Sequence, residues 1–205
     1  MALELCIFFA TLPLALALRP WRLLAGGALL SPLLGSLVIL PWLWALPRLH
    51  TTMPLPLQLS GACAVTLMFG WPLAVPVLTA VALLSGLLAP AAWEVLVGQL
   101  VWQGLVPATL ALGVGGVLRR WIGTYPFVFI LGRAFVGTAL CTFVAGSLSQ
   151  WVDCELVYWD AGLSLVAHWL MAWGDAVMTG MLAAIFVAFR PQWLATWSDV
   201  LYLKH

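Results

Sequence analysis

The chain has 205 residues, 64% hydrophobic and 7% charged, with a formal net charge of +1 and a mean hydropathy of +1.10. So few charges cannot cover the surface of a water-soluble domain, and a near-neutral balance offers no basic patch for nucleic acid. What remains is an all-α integral membrane protein, a polytopic bundle whose segments satisfy their own backbones as helices with the lipid bilayer as solvent.

Apolar runs extend over residues 5–18, 23–46, 55–69, 73–88, 95–118, 127–148 and 161–189, several of them near the ~20 residues a bilayer requires. The first run has the length of a signal-peptide core, and Ala15-Leu16-Ala17 resembles a cleavage site. No basic residue precedes it, however, and Glu4 together with Arg19-Pro20-Trp21-Arg22 argues for a retained helix. The third and fourth runs are separated by Gly70-Trp71-Pro72, where glycine ends one helix and proline suits the first turn of the next.

If that break is a hairpin there are seven crossings; if it is a kink there are six. Seven crossings with an external N-terminus place Arg19, Arg22, Arg119, Arg120, Arg190 and Lys204 inside and leave Arg48 outside, the stronger positive-inside bias, so seven is expected. No internal repeat, low-complexity tract or long connector divides residues 1–205, which read as a single transmembrane domain. Cys6, Cys63, Cys141 and Cys154 show no paired spacing, and the first three read as small hydrophobes in or beside helices.

Only Arg133 and Asp175 place a charge inside a run. A carboxylate midway along an apolar helix costs ~2.5–3.5 kcal/mol on insertion scales unless paired or wetted, so Asp175 is expected to face protein. His168 lies two turns earlier on the same face, with Met171 and Thr179 near that line. This stripe either lines a solute path or gate, or Asp175 bonds a neighbouring helix backbone and fixes packing.

His168 alone reads first as a hydrogen-bonded packing residue, with a ligand role as the alternative. Arg133 sits near the start of its run and can snorkel to the interface. Pairing it with Asp175 would require the seventh helix to tilt, since their depths differ by about 12 Å at 1.5 Å per residue.

Small residues recur every fourth position at Gly27-Ser31-Gly35, Gly137-Cys141-Ala145 and Ala176-Gly180-Ala184-Ala188, which predicts close helix packing within the bundle. The 13 tryptophans cluster near run ends, among them Trp21, Trp42, Trp44, Trp93, Trp121, Trp151, Trp193 and Trp197, as an interfacial belt would. Gly113-Val114-Gly115-Gly116 lacks the Lys-Ser/Thr of a phosphate-binding loop, and neither a metalloprotease helix nor a dinucleotide turn is present, so no enzyme and no resident cofactor is expected.

Two stretches resemble the CbiM-like substrate-capture permeases of energy-coupling factor transporters, the cobalt/nickel group and its short bacterial branch. One is Gln58-Leu59-Ser60-Gly61-Ala62 leading through Leu67-Met68-Phe69-Gly70-Trp71-Pro72-Leu73-Ala74, similar to that group's histidine-x-x-glycine helix and the turn after it. The other is Gly174-Asp175-Ala176-Val177-Met178-Thr179-Gly180-Met181 with the exit Arg190-Pro191-Gln192-Trp193.

The resemblance implies a multi-pass subunit of the bacterial inner membrane, N-terminus outside and C-terminus cytoplasmic. It would capture a small solute such as a divalent transition metal beside a coupling transmembrane protein and cytosolic ATPases. The family's metal-binding histidine positions hold Ala2 and Gln58 here, and neither side chain replaces an imidazole. His50 and Met53 in the connector before Gln58, with His168, are the donors from which a rearranged metal site could be built. Asp175, His168, Thr179, Gln58 and Arg133 are the candidate substrate-binding or gating residues. The alternative is a non-transporting scaffold that kept the fold and lost the ligands.

Overall fold

A computed structural model of the chain describes residues 2–24, 26–49, 58–123, 125–152 and 161–197, the side chains of 161–164 excepted. Eight helices and no strand occur among them: α1 (Ala2–Ala17), α2 (Trp21–Leu24), α3 (Leu30–Leu49), α4 (Ala62–Phe69), α5 (Trp71–Leu88), α6 (Trp93–Trp121), α7 (Val128–Val152) and α8 (Ala161–Phe189). Five of them, α3, α5, α6, α7 and α8, are long and apolar enough to cross a membrane, which makes the chain a multi-pass membrane bundle. α1, with 16 residues, falls short of that length. Wide π turns interrupt α6 at Leu100–Leu105 and open α7 at Val128–Val136.

The third apolar run does not become a membrane-length helix. Gly61 adopts the left-handed conformation at φ 64°, so α4 starts only at Ala62 and spans 8 residues. Gly70 ends it at φ 72°, ψ 159°, a region open essentially to glycine alone. The break at Gly70 is a hairpin, and Trp44 of α3 shows why. Its Nε1 donates to the Ser60 carbonyl at 2.9 Å. A Cβ built on Gly104 would lie 3.1 Å from the same ring and 3.6 Å from Leu78 Cβ. Ser60 precedes Gly70 and Leu78 follows it, and a continuous helix would hold the two about 27 Å apart at 1.5 Å per residue. Only a chain that folds back at Gly70 brings both to one tryptophan.

At one end of the bundle the start of α1 meets the early part of α6 through Glu4 and Trp102, and the end of α3 meets the end of α5 through Arg48 and Ser85. At the other end Arg119 of α6 donates to the Thr196 carbonyl, and the Ala195 amide donates to the Met68 carbonyl at the end of α4. Among the described residues the chain thus runs between the two ends five times as a membrane-length helix and once as the shorter α1, and α4 covers half that depth.

The core lies where α3, α4, α5 and α6 converge, with Trp44, Phe69, Leu78 and Leu105 fully buried. Trp21, Trp42, Trp93, Trp121 and Trp151 are exposed as a belt requires, whereas Trp44 and Trp197 are core residues, which corrects their assignment to it. Each finds a role inside: Trp44 bonds Ser60, and Trp197 packs edge-on against Phe129 with ring centroids 5.0 Å apart.

The small-residue stripes divide in the same way. Gly137, Cys141 and Ala145 are buried, and Gly180 lies close to Phe135, as helix packing predicts. Gly27 and Ser31 are exposed instead, and nothing approaches the Cβ position of Gly35, so that stripe does not serve packing within the bundle.

Candidate functional site

A helix beginning inside a bundle leaves backbone N–H groups that water cannot reach, and each needs a named acceptor. At the start of α4 the acceptors are side chains. Asp175 Oδ2 accepts from the Ser60 amide at 2.9 Å and Oδ1 from the Gly61 amide at 3.3 Å. Ser60 Oγ accepts from the Ala62 amide at 3.1 Å. The same hydroxyl donates to the Gln103 carbonyl of α6, which Pro107, lacking an N–H, cannot engage from four residues on. With Trp44 on the Ser60 carbonyl, residues from α3, α6 and α8 converge on one non-helical turn.

Asp175 stands at the centre of α8, about 21 Å from each helix end at 1.5 Å per residue, and is 4% exposed. It faces protein, as its cost in lipid demands. Its partners are main-chain amides, so this carboxylate cross-links α8 to the half-helix. An anionic acceptor also suits the positive end of a helix. The far end of α4 is held as well, by Thr196 Oγ1 on the Leu67 carbonyl at 2.7 Å and by the Ala195 amide on the Met68 carbonyl at 2.8 Å. The two sequence stretches thus meet in space at the start of α4, and residues just past the second, Ala195 and Thr196, hold its far end.

The expected stripe on α8 is split between two neighbours. Thr179 is buried at 2% exposure. His168 is half-buried and turns to α7, where a Cβ on Gly146 would lie 2.7 Å from its Nδ1. Gln58 is exposed two residues before Ser60. Arg133 does not snorkel free of its neighbours: it lies over the Phe129 ring at 5.7 Å, and a Cβ on Gly115 of α6 would meet its Nε at 2.6 Å. No ion pair joins it to Asp175 among the described residues. His50 and Met53 lie outside the described residues. Among those described, no three His, Cys, Asp or Glu side chains gather as a metal would need.

Sequence reasoning missed Ser60, Trp44 and the pairing of two cysteines. Cys63 on α4 and Cys141 on α7 are both buried and free, and their side chains interact across the helix interface beside Thr138. Seventy-eight positions separate them, a distance no local spacing rule detects. Pro107 did carry a signal for Ser60, since a proline inside a helix frees a carbonyl that something else must engage. No known protein family, curated protein or solved structure matches the chain.

Proposed function

We propose that the chain is the substrate-capture subunit of an energy-coupling factor type transporter, taking a small solute from the outer side of a bacterial inner membrane. Its N-terminus faces outward and its C-terminus the cytoplasm, beside a coupling membrane protein and cytosolic ATPases. The observation that supports this most is the half-helix α4, whose N-terminus and preceding non-helical turn sit level with the middle of α8. Irregular backbone at such depth is tolerated only inside protein or along a cavity, and discontinuous helices of this kind mark solute paths in transporters. The resemblance implies a divalent transition metal as cargo, with Asp175 and Gln58 beside the start of the half-helix and Thr179 one turn further along α8.

One observation favours a second reading. Both Asp175 oxygens are engaged by main-chain amides, a bond that fixes packing without any solute and suits a scaffold subunit of a larger membrane complex.

Purification of the full chain from its native membrane in mild detergent separates the two. Recovery with ATPase and coupling subunits supports capture, and an unrelated stable partner supports the scaffold. Elemental analysis and calorimetric titration with cobalt, nickel, copper and zinc then test the cargo. Selective stoichiometric binding of one of them supports a metal, and no binding of any removes it.

A further inference from the structure

At the end of the bundle opposite the Gly70 hairpin, Arg48 stands one residue before the end of α3 and Ser85 three residues before the end of α5. Arg48 Nη2 donates to Ser85 Oγ at 2.9 Å and to the Trp44 carbonyl at 3.4 Å. The other two guanidinium nitrogens, Nε and Nη1, are buried and meet no acceptor among the described residues. Gln99 of α6 donates Nε2 to the same Trp44 carbonyl at 2.9 Å, and its Oε1 is likewise buried without a partner.

No carboxylate among the described residues pairs with Arg48: Glu4 Oε1 accepts from Trp102 Nε1 at 3.0 Å, Asp175 serves the start of α4, and Glu94 is exposed in the first turn of α6. Arginine stays ionised at any physiological pH. A fixed positive charge with two buried, unused donors is retained against its desolvation cost only where something neutralises it.

We propose that Arg48, with Gln99 beside it, binds the carboxylate of a small monoanionic solute about one helical turn inside this end of the bundle. A single guanidinium balances a single negative charge, and a dianion would bury an excess. A charge-assisted N–H bond from Nε or Nη1 to the carboxylate holds the anion against the guanidinium. The Gln99 amide, either way round, offers a donor to the anion or an acceptor to a neighbouring hydroxyl or amine of the solute. This names an anionic substrate class for the solute-capture reading in place of the divalent metal that the resemblance implies, and it rests on that reading for the ligand being cargo.

The test uses the full-length protein in detergent and a buffer free of carboxylates. Thermal unfolding and equilibrium dialysis are followed with sodium acetate, lactate and benzoate, against chloride, phosphate and succinate at equal ionic strength. The expected result is saturable binding and a raised unfolding midpoint with at least one monocarboxylate. Arg48→Gln should weaken that binding roughly tenfold to a hundredfold, the range expected when hydrogen bonds to a charged group are lost. Gln99→Leu should weaken it less, and Arg120→Gln, at an exposed position on α6, should leave it unchanged.

Equal stabilisation by chloride or phosphate, no response to any monocarboxylate, or full binding by a folded Arg48→Gln protein would each overturn the assignment. Monocarboxylate binding by a protein that recovers no coupling subunits would uphold the site while removing the transporter reading. Failure to bind by a protein that does recover them would remove the site alone.

Discussion

Replacing Asp175 tests what holds α4 inside the bundle. Its two oxygens accept from the Ser60 and Gly61 amides at 2.9 and 3.3 Å in a place that is 4% exposed. A buried donor left without an acceptor costs about 1–3 kcal/mol. Asp175→Ala strands both amides and should cost about 2–6 kcal/mol by that measure. Asp175→Asn keeps one acceptor oxygen but turns an NH2 group towards the other amide, so about 1–3 kcal/mol is expected.

For a chain of this size each kcal/mol moves the unfolding midpoint by about 2–4 °C, which gives a loss of roughly 2–12 °C for asparagine and about twice that for alanine. Thermal unfolding in mild detergent reads the midpoint, and hydrogen exchange at Ser60 and Gly61 locates the damage. If Asp175→Ala melts with the wild type and those two amides stay protected, the carboxylate does not hold the half-helix. Loss of solute uptake with no change in melting would instead assign Asp175 to the transport step.

Other outcomes follow from the same structure. Gly70→Ala forces a side chain into φ 72°, ψ 159° and should destabilise by about 1–3 kcal/mol. Gly116→Ala on α6, with nothing within 4 Å of its Cβ position, should be neutral or stabilising by up to about 1 kcal/mol; equal melting of the two variants would refute the hairpin geometry. Seven crossings would put the chain ends on opposite sides of the membrane, so reporters fused to each terminus should respond oppositely, and a shared response would restore the six-crossing kink. In peptide mapping after maleimide treatment of the folded protein, Cys6, which is exposed, should be modified before Cys63 and Cys141. Cys63 and Cys141 should react only after unfolding, and early labelling of either would contradict their burial.

The helical membrane class was legible because it follows from composition. With 64% hydrophobic and 7% charged residues, only self-satisfying helices are possible. The burial of Asp175 was legible for a similar reason, since a lone carboxylate in lipid is costly wherever the helix lies. The break at Gly70 was visible too, and loop charges favoured the hairpin that Trp44 confirms by reaching Ser60 and approaching the Leu78 level.

Partner choice was not legible. The apolar run at 55–69 carries no mark that, of residues 58–69, only Ala62–Phe69 becomes helix, because Gly61 takes its left-handed conformation in a turn held by residues from three other helices. Trp44 and Trp42 look alike in sequence, yet one is core and the other exposed, according to which face of α3 meets its neighbours.

By itself the sequence determined that this protein lives in a bilayer as helices, with Asp175 turned inward. Hydropathy and the backbone's need for hydrogen bonds act locally and leave no alternative. Tertiary structure alone decided that Asp175 meets the amides of Ser60 and Gly61, that Cys63 meets Cys141, and that Arg48 keeps two donors unused. Those outcomes depend on the rotation and depth of helices far apart in the chain, and no local pattern encodes either.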